Sequence, residues 1–230
     1  MKYEIEPIAR IEGGYSSKFG IPRQSGLDDA KKCLVVFEDK YKNDAYIRGI
    51  EQFSHIWLIW EFSENIHSDP NPTVRPPRLG GNKRVGVFAT RSPFRPNFLG
   101  LSCVRLDGIA HIPGKGNCLE VSGADMLDGT PVFDIKPYIS YTDSQPEAVC
   151  GFADDKFDYT IFVDENDVMF SKLPADVKNS LINVLEGDPR PSYQEDPNRV
   201  YGFDFEGYEV KFRVCDGAVR MVSIKKSVLG

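Results

Sequence analysis

HIWLIWEF, residues 55–62, decides the fold class of this chain. The run is rich in aromatic and β-branched side chains and is bounded by polar loops, so we expect a central strand. Trp57 and Trp60 would fall on opposite faces of that strand, since successive side chains alternate. At least one of the two indoles should therefore belong to the core.

Short apolar runs on both sides of this segment predict further strands. They lie at residues 3–11, 34–37, 85–90, 101–112, 118–121 and 132–135. Residues 44–53 predict about two helical turns, weakened by a glycine. Roughly eight β segments without a long helix predict a mainly β domain with a closed or strongly curled sheet. A doubly wound nucleotide fold is disfavoured, because strands and helices do not alternate and no GxGxxG follows the first strand.

The composition changes near Tyr141, and the remainder predicts a second, smaller domain. Residues 171–187 carry apolar side chains at helical spacing, with a proline in the first turn and a glycine at the end. Asp216-Gly217 stands between two alternating segments and predicts a hairpin. We therefore expect domains at 1–145 and 146–230, the second of them a small α+β unit.

Composition sets limits on function. The 230 residues carry a net charge of −6 and 41% hydrophobic residues, without an apolar run of membrane-spanning length or a signal peptide. Five cysteines without a CxxC pair, and three histidines (His55, His67 and His111) without ligand spacing, favour reduced thiols and no metal site. We expect a cytoplasmic protein that binds no metal and no membrane.

One segment departs from the acidic average. Residues 70–106 contain no Asp or Glu and hold seven basic residues: Arg75, Arg78, Lys83, Arg84, Arg91, Arg95 and Arg105. A cationic segment within an acidic chain indicates a surface that binds anions.

ATRSPFRPN, residues 89–97, is the first candidate site within that segment. Its two prolines fix backbone angles, so Arg91, Arg95 and Asn97 would project from a pre-ordered loop. Guanidinium groups bind carboxylates and phosphates through paired hydrogen bonds. The alternative is that these arginines bond to loop carbonyls or pair with acids elsewhere.

Two further segments are candidates. In DGTPVFDIKPY, residues 128–138, Asp134 and Lys136 would share one side of a strand, as part of a site or as an internal ion pair. In PRQSGLDD, residues 22–29, Ser25-Gly26 could expose backbone N–H groups to a ligand or could form a simple turn.

Together, FSHIWLIWEF, TVRPPRLGGNKRVGVFATRSPFRPNFLGLS and DGTPVFDIKPY resemble the TsaA-like (YaeB/TrmO) family of S-adenosylmethionine-dependent tRNA adenine N(6)-methyltransferases. The resemblance covers about residues 1–145, and EGDPRPSYQED at 186–196 resembles the C-terminal domain of bacterial members. It implies a compact single-sheet β-barrel, a homodimer, and methylation of N(6)-threonylcarbamoyladenosine at position 37, in the anticodon loop of threonine tRNA.

The resemblance also implies cofactor contacts, carried over by motif. The residues expected to contact S-adenosylmethionine are Ser25, Gly26, Leu27, Ser63, Glu64, Arg91, Leu101, Ser122, Gly123, Ala124 and Asp125. Asp125 could bind the ribose hydroxyls or the amine, and Arg91 the carboxylate or the adenine edge.

The acceptor nitrogen and the RNA require other groups. His55, Asp128 and Asp134 are candidates to take the proton of the acceptor nitrogen. The expected RNA contacts are Arg75, Arg78, Lys83, Arg84, Arg95, Asn97 and Lys136.

Two other functions stay open, and one residue departs from the family pattern. The chain could methylate another RNA or a nucleotide, or it could be a non-catalytic RNA-binding module. The family usually reads RPNP where this chain has Phe98 after Asn97, which puts the shape of that loop in question.

Overall fold

The computed structural model of the chain describes residues 3–66, 69–76, 83–156, 160–190 and 196–227. The strands in these ranges are β1 Ala9–Glu12, β2 Lys32–Phe37, β3 His55–Glu61, β4 Thr73–Val74, β5 Val85–Gly86, β6 Leu99–Ile112, β7 Gly116–Ser122, β8 Pro131–Pro137, β9 Tyr201–Phe205, β10 Tyr208–Cys215 and β11 Ala218–Lys226. The α-helices there are α1 Ser140–Asp143 and α2 Ala175–Glu186. In the described part of the chain, no helix has the length and apolar character needed to cross a membrane.

Short 3-10 turns connect many of these elements. They are Lys18–Gly20, Asp39–Tyr41, Asp44–Tyr46, Ile50–Gln52, Ser63–Asn65, Val87–Ala89, Pro96–Phe98, Gly151–Lys156 and Val168–Lys172.

Six strands form one sheet whose two ends meet. The order is β1-β2-β7-β6-β3-β8, and β8 pairs with β1 as well as with β3, which closes the sheet into a barrel. Neighbouring strands are antiparallel throughout this sheet. Closure satisfies backbone groups that an open sheet would leave at its edges. The mainly β class and the strand predicted around residues 55–62 are confirmed.

Alternation along β3 fills the barrel interior. Ile56, Leu58 and Trp60 point inward and are at most 6% exposed, whereas Trp57 is half-buried on the outer face. Gly100 of β6 pairs with Trp60, and a Cβ atom there would lie 2.4–2.7 Å from the indole ring. A larger residue at position 100 would displace that ring.

The C-terminal part builds a second core. Leu181 and Leu185 of α2 are fully buried in a cluster with side chains of the sheet β9-β10-β11. Asp216 and Gly217 take φ of 51° and 70° between β10 and β11, so the predicted hairpin is confirmed. Tyr15, which precedes β2, is buried in this second core as well. The second core is therefore completed by a residue from the first part of the chain.

Two predicted elements differ from the structure. Residues 44–53 form two separate 3-10 turns, because Gly49 lies between them with φ of 90° and interrupts the helical path. The strand predicted at 85–90 is present only as Val85–Gly86, since β4 offers just two pairing residues. The chain then turns through Val87–Ala89.

Two other predictions are right in type but too long. The first strand begins at Ala9 rather than at residue 3. The helix predicted over 171–187 begins at Ala175, because Pro174 takes an extended ψ of 151° as its N-cap.

Candidate functional site

A buried relay of hydrogen bonds starts on β3 and ends at a carboxylate. Trp60 Nε1 donates to Ser102 Oγ at 2.9 Å, and Ser102 Oγ donates to Asp125 Oδ1 at 2.5 Å. Ser102 is 1% exposed, on the inner face of β6. We call these three residues the buried relay. Because strand pairing and core packing hold the indole and the hydroxyl, they also fix where the carboxylate lies.

The environment of Asp125 is only partly favourable to its charge. Burial raises the pKa of the Asp125 carboxyl above its usual range, because the charged form loses water. The Ser102 hydroxyl, the Asp125 backbone N–H, the Arg91 guanidinium and the Ser25 backbone N–H oppose that rise in pKa. Arg91 and Ser25 belong to two other predicted cofactor segments, so three of those segments meet at Asp125.

The loop 25–27 lies directly beside the chain that leaves β7. The backbone N–H of Gly26 donates to the carbonyl of Gly123 at 2.9 Å. Gly123 has φ of 80°, and a Cβ atom there would lie 3.2 Å from the backbone of Gly26 and 3.1 Å from Asp29 Oδ1. Glycine at 123 thus permits both the backbone angle and the close approach. Leu27, at the outer end of the loop, is 53% exposed.

Arg91 joins this group of residues to a large cleft. Its Nη1 donates to Gln24 Oε1, and both residues line a cleft of about 1500 Å³. The lining also includes Cys150, Phe152, Ala153, Asp154, Pro189 and Arg190. Residues from both parts of the chain therefore line the same cleft.

The charged residues that line this cleft are mostly cations, so we call it the cationic cleft; aromatic rings line it as well. The cations among its described residues are Lys18, Arg23, Arg75, Arg84, Arg91 and Arg190, and the one acid is Asp154. Phe88, Phe94 and Phe152 also line it. Phe88 is 79% exposed and Phe94 is 43% exposed. Exposed rings among cations are typical of surfaces that bind unpaired nucleotides.

Two predicted cofactor residues lie near Lys18 but do not line the cleft as described. Ser63 and Glu64 belong to the 3-10 turn Ser63–Asn65. Glu64 Oε2 is 3.9 Å from Lys18 Nζ, which lines the cationic cleft. This turn is adjacent to the cleft, and no hydrogen bond among the described residues joins it to the buried relay.

Three predicted cofactor residues on β6, on β7 and just after β7 differ in exposure. Leu101 is 58% exposed and faces outward, opposite to Ser102. Ser122 is fully buried, its hydroxyl donates to Asp107, and its position in β7 is paired with Lys32 of β2 and Arg105 of β6. Ala124 is 1% exposed and sits in the barrel core.

Two of the predicted proton acceptors have structural partners. Asp128 Oδ1 accepts the backbone N–H of Gly13 at 2.8 Å, which ties its turn to the end of β1. His55 lies on the outer face at the start of β3, with Nδ1 2.9 Å from Ser54 Oγ. Neither residue lines the cleft as described.

The third predicted acceptor, Asp134, forms an ion pair with Lys136. The two charged atoms are 2.7 Å apart on the outer face of β8, and both side chains are substantially exposed. The predicted ion pair is therefore present, and a role of Asp134 in a site stays a prediction. Asp134 is opposite Ile59, whose other neighbour is the exposed Leu101.

Two of the predicted RNA-binding arginines make different contacts. Arg95 Nη1 donates to the carbonyls of Thr90 at 3.1 Å and Ser92 at 3.5 Å, so the loop-carbonyl alternative is confirmed for Arg95. Arg84 Nη1 donates to Thr73 Oγ1 at 2.8 Å while lining the cleft.

The other predicted RNA contacts differ in position. Arg75 is exposed and lines the cleft, and Lys83 is exposed beside β5. Asn97 is exposed, with φ of 67°. Arg78 lies outside the described residues.

Family models match both parts of the chain. The model described as the tRNA-methyltransferase O N-terminal domain matches residues 10–144, and the TrmO C-terminal domain model matches residues 162–227. The chain belongs to the tRNA-methyltransferase O family. The predicted family membership is thereby confirmed.

Individual relatives cover nearly the whole chain. A tRNA (adenine(37)-N6)-methyltransferase of Escherichia coli (strain K12) is 34% identical over 232 residues, covering 97% of this chain and 98% of the relative. A putative S-adenosylmethionine-dependent methyltransferase, RcsF, of Pseudomonas aeruginosa is 39% identical over 210 residues, with 88% of each chain covered. A crystal structure of TrmO from P. aeruginosa superposes with a TM-score of 0.77 at 31% identity, covering 99% of this chain and 98% of the other.

Phe98 sets the backbone path of the loop that follows Arg95 in this chain. Its φ is 51°, in the left-handed region. Proline is locked near −65° and cannot take that angle. A family member with proline at this position therefore needs a different backbone path between Asn97 and β6.

Several residues of the site were not predicted from sequence. Ser102 lies within the quoted family motif, and its signal is a polar side chain on the apolar face of a strand. Gln24 stands one residue before the predicted loop. Phe88 and Phe94 are aromatic residues in an arginine-rich segment, a pattern that indicates stacking on bases.

Proposed function

We propose that this chain transfers a methyl group from S-adenosylmethionine to the N(6) nitrogen of the adenine at position 37 of tRNA. The observation that carries the proposal is the meeting of Asp125, Arg91 and the loop 25–27 at the edge of the cationic cleft. Residues that can bind a small charged ligand thus lie next to a surface that suits a polyanion. The full-length similarity to the Escherichia coli enzyme supports the same assignment.

The residues present fit S-adenosylmethionine chemically. A carboxylate at Asp125 suits hydroxyls or an ammonium group, and the Arg91 guanidinium suits a carboxylate. The backbones of Gly26 and Gly123 carry no side chain between them and a ligand. When bound, S-adenosylmethionine supplies an electrophilic methyl group.

The acceptor adenine would reach this site through the cationic cleft. A base in an anticodon loop is already unpaired, so presenting it costs less than extruding it from a duplex. Arg75 would bind phosphates, while Phe88 and Phe94 would stack on neighbouring bases. Holding the acceptor nitrogen near the methyl group supplies much of the rate, since positioning converts a bimolecular step into a unimolecular one.

The group that accepts the proton from the acceptor nitrogen is still a prediction. His55, Asp128 and Asp134 are the candidates, and Asp134 is the one whose carboxylate shares its outer face with the predicted cofactor residue Leu101. His55→Ala, Asp128→Asn and Asp134→Asn separate them. The base is the residue whose loss lowers kcat while leaving S-adenosylmethionine affinity unchanged.

We further propose that the substrate carries the threonylcarbamoyl group and is a threonine tRNA. The cations of the cleft would bind the carboxylate of that group as well as the phosphates. Transfer of radiolabelled methyl groups to threonine tRNA with and without the threonylcarbamoyl group tests this. Equal rates on both would favour a methyltransferase for another RNA. Absence of both S-adenosylmethionine binding and S-adenosylhomocysteine release would favour a non-catalytic RNA-binding module.

The organisation of the enzyme is also proposed. Residues 1–145 would form the catalytic domain and 146–230 a smaller domain that completes the cleft, supported by the two separate cores. The exposed Leu101, beside half-buried Ile59 and Trp57, supports a homodimer through this face. A tRNA substrate supports a cytoplasmic location. Light scattering of wild-type protein and Leu101→Glu tests the dimer.

A further inference from the structure

Asp28 is a buried carboxylate that the proposed chemistry does not use. It is 1% exposed and directly follows the loop 25–27. Its oxygens accept hydrogen bonds from the Tyr15 hydroxyl at 2.7 Å, from the Ser180 hydroxyl and from Asn183 Nδ2 at 3.2 Å. A buried carboxylate with several donors holds its surroundings tightly, because losing a donor leaves charge without solvation.

Two of those donors come from a distant part of the chain. Ser180 and Asn183 lie on α2, 152 and 155 residues beyond Asp28. Ser180 is 3% exposed, and its helix packs Leu181 and Leu185 into the second core. The hydrogen bonds therefore fasten the second core to the end of the loop 25–27.

The same loop is fastened on its other side to the barrel. Gly26 donates its N–H to the Gly123 carbonyl, and Gly123 directly follows β7. The loop is thus held between a barrel contact at Gly26 and a helix contact at Asp28. Leu27, between the two, is 53% exposed.

The charged groups around Asp28 are also arranged by contacts across the two cores. Lys31 is 9% exposed, pairs with Glu206 and lies over the Tyr15 ring, 5.4 Å from its centroid. Burial, together with the charge and the hydrogen bond of Asp28, raises the pKa of the Tyr15 hydroxyl, so Tyr15 remains a donor to Asp28 at physiological pH.

We propose that Asp28 is a positioning residue through which α2 sets the affinity for S-adenosylmethionine. This rests on the proposed function of the loop 25–27. α2 supplies no residue to the predicted cofactor contacts, yet its two polar side chains determine where the loop ends. Loss of those bonds frees the loop from one anchor, and part of the binding energy is then used to order it again.

Removal of the two donors on α2 tests the proposal without altering the loop itself. Ser180→Ala combined with Asn183→Ala should weaken S-adenosylmethionine binding about tenfold, equivalent to the loss of roughly 1.4 kcal/mol from two hydrogen bonds. The KM for S-adenosylmethionine should rise in step, with kcat within about twofold of wild type. Calorimetry is done at a temperature where circular dichroism shows each variant folded. The single variant Ser180→Thr keeps a hydroxyl and should therefore retain most of the wild-type affinity.

Leu185→Ala is the matched control for general destabilisation. It removes buried volume from the same helix and lowers stability, although Leu185 makes no bond to Asp28. The proposal expects its S-adenosylmethionine affinity to stay at the wild-type value. Wild-type affinity in the double variant, or an equal loss in Leu185→Ala, would overturn the positioning role alone. Failure of wild-type protein to bind S-adenosylmethionine would overturn the proposed function itself.

Discussion

The buried relay and the cationic cleft meet at Arg91 but are built in opposite ways. In the relay, Trp60, Ser102 and Asp125 are held by strand pairing and by bonds to one another. In the cleft, Arg75 and Phe88 are exposed and project from short strands and turns. The first arrangement suits a small ligand of fixed shape, and the second suits a flexible polyanion whose binding energy comes largely from charge.

The largest expected effect is on the relay carboxylate. Asp125→Asn should weaken S-adenosylmethionine binding by about 1.5–3 kcal/mol, the usual loss for a hydrogen bond to a charged group. Because burial raises the pKa of Asp125, the wild-type carboxylate takes up a proton at a higher pH than an ordinary aspartate. Wild-type affinity should therefore fall as pH is lowered through that raised pKa, and Asp125→Asn should lose this dependence. Calorimetry from pH 8 downward measures both effects.

Asp143→Asn is the control for this pH experiment. Asp143 is exposed, and hydrogen bonds from the Ile139 backbone and Trp57 lower the pKa of its carboxyl, so it takes up a proton only at a lower pH than an ordinary aspartate. It should bind S-adenosylmethionine as wild type does. A pH profile in Asp125→Asn identical to that of wild type would show that another group titrates.

The second prediction compares one glycine from each region. Gly100→Ala should cost about 1–3 kcal/mol of stability, since its Cβ would meet the Trp60 indole at 2.4–2.7 Å. It should also weaken S-adenosylmethionine binding, because the displaced indole no longer orients Ser102. Gly86→Ala, near the cleft, meets nothing within 4 Å and has an ordinary φ of −58°, so it should be neutral or slightly stabilising. Urea unfolding measures the difference, and equal stabilities would contradict the packing described for Trp60.

The third and smaller effect concerns the exposed ring in the cleft. Phe88→Leu should weaken tRNA binding by about 1 kcal/mol through lost stacking, with no change in the salt dependence of binding. Arg75→Ala should instead lower the salt slope by about 0.7–0.9 for one phosphate contact. Filter binding at several salt concentrations separates the two. A changed slope in Phe88→Leu would mean that the ring orders a cation rather than stacking on a base.

The elements predicted best from sequence are those whose local pattern and tertiary environment agree. The strand at 55–61 alternates across a barrel wall, and Asp216-Gly217 provides the positive φ values that a tight hairpin needs. The helical turns predicted at residues 44–53 were wrong, because Gly49 adopts a left-handed backbone angle that an apolar pattern does not indicate. The strand predicted at 85–90 was too long, because its partner β4 is only two residues long.

Site residues that belong to a family motif were predictable from the sequence. Contacts between residues far apart in the chain were not. The loop 25–27, Arg91 and Asp125 were recognised by family motif, and the structure places them together. Arg95 looked identical to Arg91 in sequence, but its guanidinium bonds to carbonyls of its own loop. The bond between Asp28 and α2 joins residues more than 150 positions apart, and no local pattern indicates such a pairing.

We propose that Arg91 serves the cofactor while Arg75 serves the RNA. One calorimetric comparison of S-adenosylmethionine binding to wild type, Arg91→Ala and Arg75→Ala tests it most directly. We predict that Arg91→Ala weakens binding about tenfold or more, the loss expected for a charge-assisted hydrogen bond, while Arg75→Ala binds as wild type does. Unchanged affinity in Arg91→Ala, or an equal loss in Arg75→Ala, would contradict the division between the two regions.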